Sequence, residues 1–320
     1  MATTGIGEAA LAASGEQHEI ASGNQVAVIT EVGATLRTYT VGGQAVLDGF
    51  STSEMATGGR GQVLAPWPNR LADGSFDFNG VSCQAPIDEV ATNNAIHGLV
   101  RWSRWTLAAR AQNKARFEHI IYPQPGYKWT LKLALTYFLS GDGLCIETEA
   151  TNAGGEDLPF GIGFHPYFTC GTETIDSLSL TVPAKRTLIC DSRGLPTGSS
   201  FVDGTLMDFR EGIPLGGLAG ITRLDTCFTD LVRDESGNTT VKLLDPESSK
   251  GVDVWADKKF GFLMIYSGDT LPDLTRRRRG LAIEPMTCPP NAFRTGDSVI
   301  TIKPGASWSA KWGIRSVTAV

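Results

Sequence analysis

A carboxylate beside an imidazole is a small apparatus that can take a proton from one oxygen and give one to another. The chain of 320 residues has four histidines, at 18, 97, 119 and 165, and two of them sit in unusual surroundings. His165 lies in Gly161-Ile162-Gly163-Phe164-His165-Pro166-Tyr167-Phe168. The glycines there permit close approach of a neighbour, and the proline stiffens the backbone on the other side. His97 lies in the polar, turn-prone segment Asn93-Asn94-Ala95-Ile96-His97-Gly98. Glu284 stands between an apolar run and a proline in Leu281-Ala282-Ile283-Glu284-Pro285-Met286-Thr287. Poor solvation there raises a carboxyl pKa toward the range useful for a base. Pro66-Trp67-Pro68-Asn69-Arg70 presents an aromatic face, an amide and a guanidinium together, a combination suited to a sugar ring and its hydroxyls. Each residue also has an ordinary reading: a hydrogen-bonded core histidine, a strand-end glutamate facing water, a tryptophan in the core.

Strands must position these groups. Trp129, Leu131, Leu133, Leu135, Tyr137 and Leu139 occupy every second position, which predicts a half-buried strand. Ser140-Gly141-Asp142-Gly143 turns the chain, and a second alternation starts at Leu144, giving a hairpin. Ser75–Phe78, Asn79-Gly80 and Val81–Cys83 form another, because Asn-Gly favours a type I′ turn. A third is expected around Gly42-Gly43, and Val252–Val254, Phe262–Tyr266 and Val299–Ile302 read as further strands. No stretch of helix length shows a 3.6-residue period; short helical turns are expected near Ser51–Ala56 and Leu215–Ala219. With 37 glycines, 16 prolines and no break in composition, the chain reads as all-β: one large antiparallel β-sandwich over residues 1–320, with residues 1–16 a loose extension.

Composition narrows the chemistry. A formal charge of −6 argues against nucleic acid as the main partner. The six cysteines, at 83, 145, 170, 190, 227 and 288, contain no C-x-x-C pair and read as free thiols in a reducing compartment. The N-terminus has no secretory pattern and no apolar run reaches membrane length, so a cytoplasmic protein without membrane contact is expected. Gly58-Gly59-Arg60-Gly61 and Gly161-Ile162-Gly163 match no nucleotide-binding loop, and the histidine spacing matches no metal site, so no cofactor and no metal are expected. Arg276–Arg279 is a dense positive run, read as a solvated loop or as an anion contact at the rim of a site.

In combination these segments resemble the aldose 1-epimerases, or sugar mutarotases. The pieces run in that family's order from about Gly33 onward: Pro68-Asn69-Arg70 with Gly74-Ser75-Phe76, Asn94–Gly98, Gly161–Phe168, Leu195-Pro196-Thr197-Gly198, Leu224-Asp225-Thr226-Cys227-Phe228 and Ile283–Thr287. The resemblance implies a galactose mutarotase-like β-sandwich with a sugar in an open cleft on one sheet. By motif, Glu284 matches the general base and His165 the general acid, with His97 beside them in the catalytic group. Arg70 and Asp225 match residues that hold the sugar, and Asn69 and Trp67 accompany them. Ala65-Pro66-Trp67-Pro68 replaces the Gly-Arg pair of the best-known galactose mutarotases, and Leu99 replaces a second glycine, so the chain resembles a divergent branch.

The expected reaction is interconversion of the α and β anomers of an aldose, a hexose such as glucose or galactose, by acid/base ring opening and reclosure. A monomer or weak homodimer suffices for it. The rivals are a non-catalytic carbohydrate-binding protein on the same fold, which needs no matched acid and base, and a hexose-6-phosphate epimerase, which needs arginines to grip phosphate. A glycosidase would usually need a second carboxylate flanking the bond.

Overall fold

The alternation beginning at Trp129 becomes the strand Leu131–Ser140 in the computed structural model, which describes residues 11–216 and 223–318. Leu131, Leu133, Leu135, Tyr137 and Leu139 are buried, while outward-facing Phe138 is 40% exposed. Ala134 and Thr136, also outward, are covered by charged neighbours. Ala134 sits between Glu118 and Glu149, which Arg116 bridges at 3.2 Å each while Lys132 meets Glu118 at 3.1 Å. The hairpin continues into Gly143–Asn152 with Ser140 opposite Gly143.

This hairpin supplies the third and fourth strands of a nine-stranded antiparallel sheet. On one side stand Lys114–Ile121 and Thr106–Ala111; on the other Ser307–Thr318, Lys250–Ala256, Thr239–Leu244, Ser179–Thr181 and Ile213–Pro214. A second sheet runs in the order Pro196–Phe201, Ala184–Cys190, Asp225–Leu231, Phe262–Tyr266, Leu281–Met286, Gly163–Phe164 and Val63–Leu64. Tyr167–Phe168 also pairs with Leu281–Met286. The sheets share one core: Leu133, Leu135 and Ile146 from the first join Phe228, Leu263, Ile265 and Ile283 from the second. Phe164 meets Trp312 across the gap at 5.0 Å between ring centroids. The expected antiparallel β-sandwich is the observed architecture.

The second sheet is apolar on both faces. Because side chains alternate, Leu263, Ile265, Leu281 and Ile283 face the core, while Phe262, Met264 and Met286 face outward with Cys227. Leu188 packs against this separate cluster. Loops must cover such a platform, and the segments around Arg70 and His97 do so as a two-stranded ribbon, with Arg70 opposite Ile96 and Ala72 opposite Asn94.

The expected turns are present. Asn79 and Gly80 have φ of 49° and 80° and join Ser75–Phe78 to Val81–Gln84, and Leu36–Val41 pairs with Gln44–Ala45. Ser51–Ala56 forms turns rather than helix. The helical turn expected at Leu215–Ala219 lies partly outside the described residues; Leu215 and Gly216 are irregular. Residues 1–10 of the expected extension also lie outside them, whereas Ser14 is buried and its carbonyl accepts from Val32 N at 3.1 Å. All six cysteines are unpaired. No helix of the described residues is long and apolar enough to cross a membrane.

The burial pattern fixes the response to truncation. Leu133→Ala empties a fully buried site and should cost about 2–5 kcal/mol, whereas Phe138→Ala should cost under about 1 kcal/mol. Urea unfolding midpoints measure both; equal losses would show that the outward face is covered.

Candidate active site

Glu284 lies opposite Met264, and Met264 opposite Cys227, on the outward face of the second sheet. The residue is 1% exposed, and its carboxyl contacts the His165 imidazole, Oε1 to Nε2 at 3.3 Å. Burial raises the Glu284 pKa well above the ordinary carboxyl value; nearby Asp225 adds to the rise and Arg70 opposes it. Burial lowers the His165 pKa to about 3, with the Arg60 and Arg101 cations acting in the same direction. Both shifts favour the uncharged pair, which shares one proton. Among the described residues, Glu284 Oε2 and His165 Nδ1 are buried without a hydrogen-bond partner.

The His165 ring is clamped. Tyr167 stacks on it at 5.1 Å and 15°, and Tyr167 Oη donates to Gly58 O at 2.8 Å. Arg60 Cζ lies 4.5 Å from the Tyr167 ring centroid, while Arg60 Nη2 donates to Asp48 Oδ2 at 2.9 Å. Gly59 closes the other approach: with φ +78° and a Cβ that would sit 2.4 Å from His165 Cδ2, no other residue fits.

His97 faces His165 edge-on, with ring centroids 5.4 Å apart. His97 and Asn69 both have left-handed backbones, φ 66° and 56°. They brace each other, because His97 N donates to Asn69 O at 2.9 Å and Asn69 N donates to His97 Nδ1 at 3.2 Å. The second bond makes Nδ1 an acceptor, so the proton of the neutral ring sits on Nε2. Burial holds the His97 pKa well below the ordinary value, and Arg101, His165 and Arg70 push the same way. Gly98 follows with φ +69°, packed so tightly that a Cβ would lie 2.0 Å from Ala65 O.

Arg70 is held by Glu89: Nε reaches its two carboxylate oxygens at 3.1 and 3.0 Å, and Nη2 lies 3.0 Å from Oε1. Burial alone would lower the Arg70 pKa, but Glu89 and Asp225 outweigh it and the net shift is upward. Asp225 opens its strand at the same cavity, whereas Asp230 stands 3.9 Å from Arg186 with its side chain 58% exposed.

The cavity has a volume of about 490 Å³. It gathers Asn69, Arg70, His97, His165, Asp225 and Glu284, six of the seven residues expected from sequence. Trp67 is the exception and a correction: it is 2% exposed, packs against Phe76 and Phe293 at 6.4 and 5.6 Å, and does not line the cavity. The cavity's exposed aromatic is Trp102, over whose ring the Arg101 guanidinium lies at 5.6 Å. Arg101, Trp102, Glu89, Met264 and Tyr266 also line it, and the sequence reading missed all five. Trp102, five residues beyond His97 on the same segment, was the one accessible signal.

The arginine run lies elsewhere. Arg276 bonds Glu54 and Gly49 O, Arg278 bonds Asp176 and Asp269, and Arg276 and Arg279 both approach buried Asp48. His18 packs on Phe117, and His119 Nδ1 lies 3.1 Å from Arg104 O. No group of three or more His, Cys, Asp or Glu side chains that could hold a metal occurs among the described residues.

Two substitutions separate clamp from core. Gly59→Ala should displace the His165 ring and cut any activity of the cavity at least tenfold, read together with the His165 imidazole NMR shift; an unmoved resonance would refute the clamp. Trp67→Ala should cost about 3–5 kcal/mol of stability and leave ligand affinity unchanged in the folded protein, by calorimetry and thermal melts.

The aldose 1-epimerase family model matches residues 16–315. The chain is 30% identical over 293 residues to YihR, an uncharacterized Escherichia coli K12 protein, covering 91% of this chain and 90% of that one. In fold it is similar to a GalM/aldose epimerase homologue from C. elegans, with a TM-score of 0.85, 20% identity, and 95% and 99% of the two chains covered. It is also similar to a galactose 1-epimerase from Lactobacillus acidophilus NCFM, with a TM-score of 0.78, 20% identity, and 94% and 95% covered. The chain belongs to the aldose 1-epimerase family.

Proposed function

We propose that the protein is an aldose 1-epimerase, a cofactor-independent isomerase that interconverts the α and β anomers of a sugar bound over Glu284. The observation that carries this reading is the contact of Glu284 with His165, 3.3 Å apart and both buried at the floor of a cavity that also holds His97 and Arg70.

A carboxylate takes the proton of the anomeric hydroxyl, O1–H. The electron pair of O1 forms the aldehyde C=O as the C1–O5 bond breaks, and O5 takes a proton from an imidazolium. Rotation about C1–C2 exposes the other face of the aldehyde, and reclosure returns both protons. Glu284 is the base and His165 the acid. Burial favours the neutral pair, with the proton on Glu284. A sugar that donates O1–H to the carboxylate and accepts at O5 from the imidazolium stabilises the charged arrangement of the same proton. His97 Nε2–H and the Arg70 guanidinium are donors that hold the sugar oxygens while charge moves. Asp225 accepts from hydroxyls away from C1, and Asn69 acts mainly by bracing His97 and, through Oδ1, the Arg70 N–H at 2.9 Å.

A purely sugar-binding protein would gain nothing from burying an acid beside a base. A hexose-6-phosphate substrate loses its support, since none of Arg276–Arg279 lines this cavity: Arg276, Arg278 and Arg279 engage carboxylates, and Arg277 donates to the carbonyl of Leu271 at its edge.

Glu284→Gln and His165→Asn should each remove about 10²–10⁴-fold of the acceleration while sugar affinity stays within about tenfold. Polarimetry of fresh α-glucose or α-galactose, corrected for buffer catalysis, reads the rate. Normal rates in either variant would move the proton transfers to other residues, and a wild type inert on every aldose would leave the sugar-binding reading.

The pH profile has a sign that follows from the one-proton pair. A second proton removes the base, so activity falls on the acid side, near the depressed His165 value of about 3 rather than at 6.5. Loss of the shared proton removes the acid, so activity falls on the alkaline side, well above the ordinary 4.5 of a glutamate. The log kcat/KM profile should be flat between, and an acid limb at 6.5 would refute the neutral pair.

A further inference from the structure

The cation that backs His165 stands outside the cavity. Arg60 is 2% exposed and is not among the residues that line the space over Glu284. Its guanidinium is engaged at all three nitrogens. Nε donates to Asp48 O and Nη2 to Asp48 Oδ2, both at 2.9 Å, and Nη1 donates to Thr57 O at 3.2 Å. Its Cζ lies 4.5 Å from the Tyr167 ring centroid, and the same ring stacks on His165 at 5.1 Å.

The backbone closes these groups into a circuit. Asp48 N donates to Tyr167 O at 2.9 Å, and Tyr167 Oη donates to Gly58 O at 2.8 Å. Immediately after Arg60, Gly61 N donates to His165 O at 2.9 Å, and His165 N donates to Gln62 O at 3.0 Å. Arg60 therefore meets the imidazole's support through its side chain, and the imidazole's own backbone through the next two residues.

A buried ion pair is a poor way to fill space, since apolar side chains of similar volume are often as stable or more so. Here both side chains are nearly out of water, 3% and 4% exposed. Charge adds what packing alone cannot: a fixed cation one ring away disfavours the imidazolium form of His165 and leaves neutral imidazole unaffected. Asp48 is not a counter-ion for Arg60 alone, because Arg276 and Arg279 approach the same carboxylate at 3.4 and 3.5 Å. On its outer side Arg60 shares a cavity wall with Glu54, Asp273 and Arg276. The other groups facing His165 are Glu284 at 3.3 Å, the His97 ring at 5.4 Å, and the Arg101 cation, which acts in the same direction as Arg60. Tyr167 also faces Tyr266 at 6.3 Å, and burial raises the pKa of both phenols. Glu284 answers instead to Asp225 and Arg70.

We propose that Arg60 is a positioning residue for the proton transfer: without touching substrate, it fixes the orientation of His165 through Tyr167 and, as a cation, keeps the pair's shared proton on Glu284 until a sugar is bound. The inference rests on the mutarotase reading above.

The test separates charge from packing. Arg60→Met and Arg60→Gln remove the cation, whereas Arg60→Lys keeps it and loses the fork. The ring contacts put the cation within about 10 Å of the imidazole, and at an effective dielectric of ~20 that is worth about one pH unit. In both neutral variants the acid limb of log kcat/KM and the His165 imidazole ¹⁵N titration should therefore move up together by about one pH unit. Removing a cation eases protonation of the imidazole, which gives the upward sign. In the same variants kcat should fall at least about tenfold while KM stays within about threefold. Arg60→Lys should leave both titrations in place and lower kcat through the loosened ring. Lost thermal stability in all three variants with unmoved titrations would mean a merely structural pair and overturn the proposal. An equal shift in Arg60→Lys, or a raised KM with unchanged kcat, would overturn it too. The NMR titration needs no turnover, so it keeps the two readings apart. A wild type inert on every aldose, whose His165 titration still moves in the neutral variants, would refute the mutarotase reading and support the control of His165 by Arg60. An unmoved titration would overturn that control whatever the rates.

Discussion

Everything around the cavity depends on keeping an acid and a base in contact out of water. An isolated charge buried as deeply as Glu284 would cost several kcal/mol, and the protein meets that constraint by leaving the pair neutral and sharing one proton at 3.3 Å. The outward apolar platform of Phe262, Met264, Met286 and Cys227 creates the constraint by excluding water beside the carboxyl. Met264 is the member of this platform that also lines the cavity, so the carboxyl's apolar surroundings reach the cavity wall there.

Rigidity is supplied from outside the pair. Asn69 and His97 adopt left-handed conformations that cost non-glycine residues about 1–3 kcal/mol in sparsely populated regions. Two reciprocal bonds and the packing of Gly98 against Ala65 hold them there. This strain determines the chemistry of His97, because the Asn69 N–H that braces the loop also fixes the tautomer and turns Nε2–H away from its own backbone.

The legible parts of the sequence were those governed by local rules. Alternation at Leu131–Leu139 and the Asn79-Gly80 turn depend on neighbours in the chain, and both reappear in the structure. His165 and Glu284 stood out because glycine and proline flanked them, and those flanks do shape the site: Gly163 pairs with Met286, two residues beyond Glu284. Trp67 misled for the opposite reason. Its prolines marked a stiff segment correctly, but stiffness does not say which way a side chain points, and Phe76 and Phe293 draw it into the core. Glu89 was invisible because its meaning lies in a bond to Arg70 nineteen residues away. Arg101 and Trp102 likewise gain their role only when their segment folds over the second sheet.

Charge also acts at second hand. The Arg276–Arg279 run looked like a solvated loop or a ligand contact, yet two of its members converge on Asp48, a buried carboxylate that also binds Arg60. Arg60 lies over Tyr167, and Tyr167 stacks on His165. A dense positive run is unfavourable in isolation, and Asp48 offsets it while anchoring the guanidinium that backs the imidazole's support. Arg276 and Arg279 therefore belong to the scaffold of the Glu284–His165 pair, which they reach through Asp48, Arg60 and Tyr167, and the cavity keeps Arg70, already held by Glu89, and Arg101 as its cations nearest the pair. That arrangement suits a substrate whose charge appears only while the ring is opening.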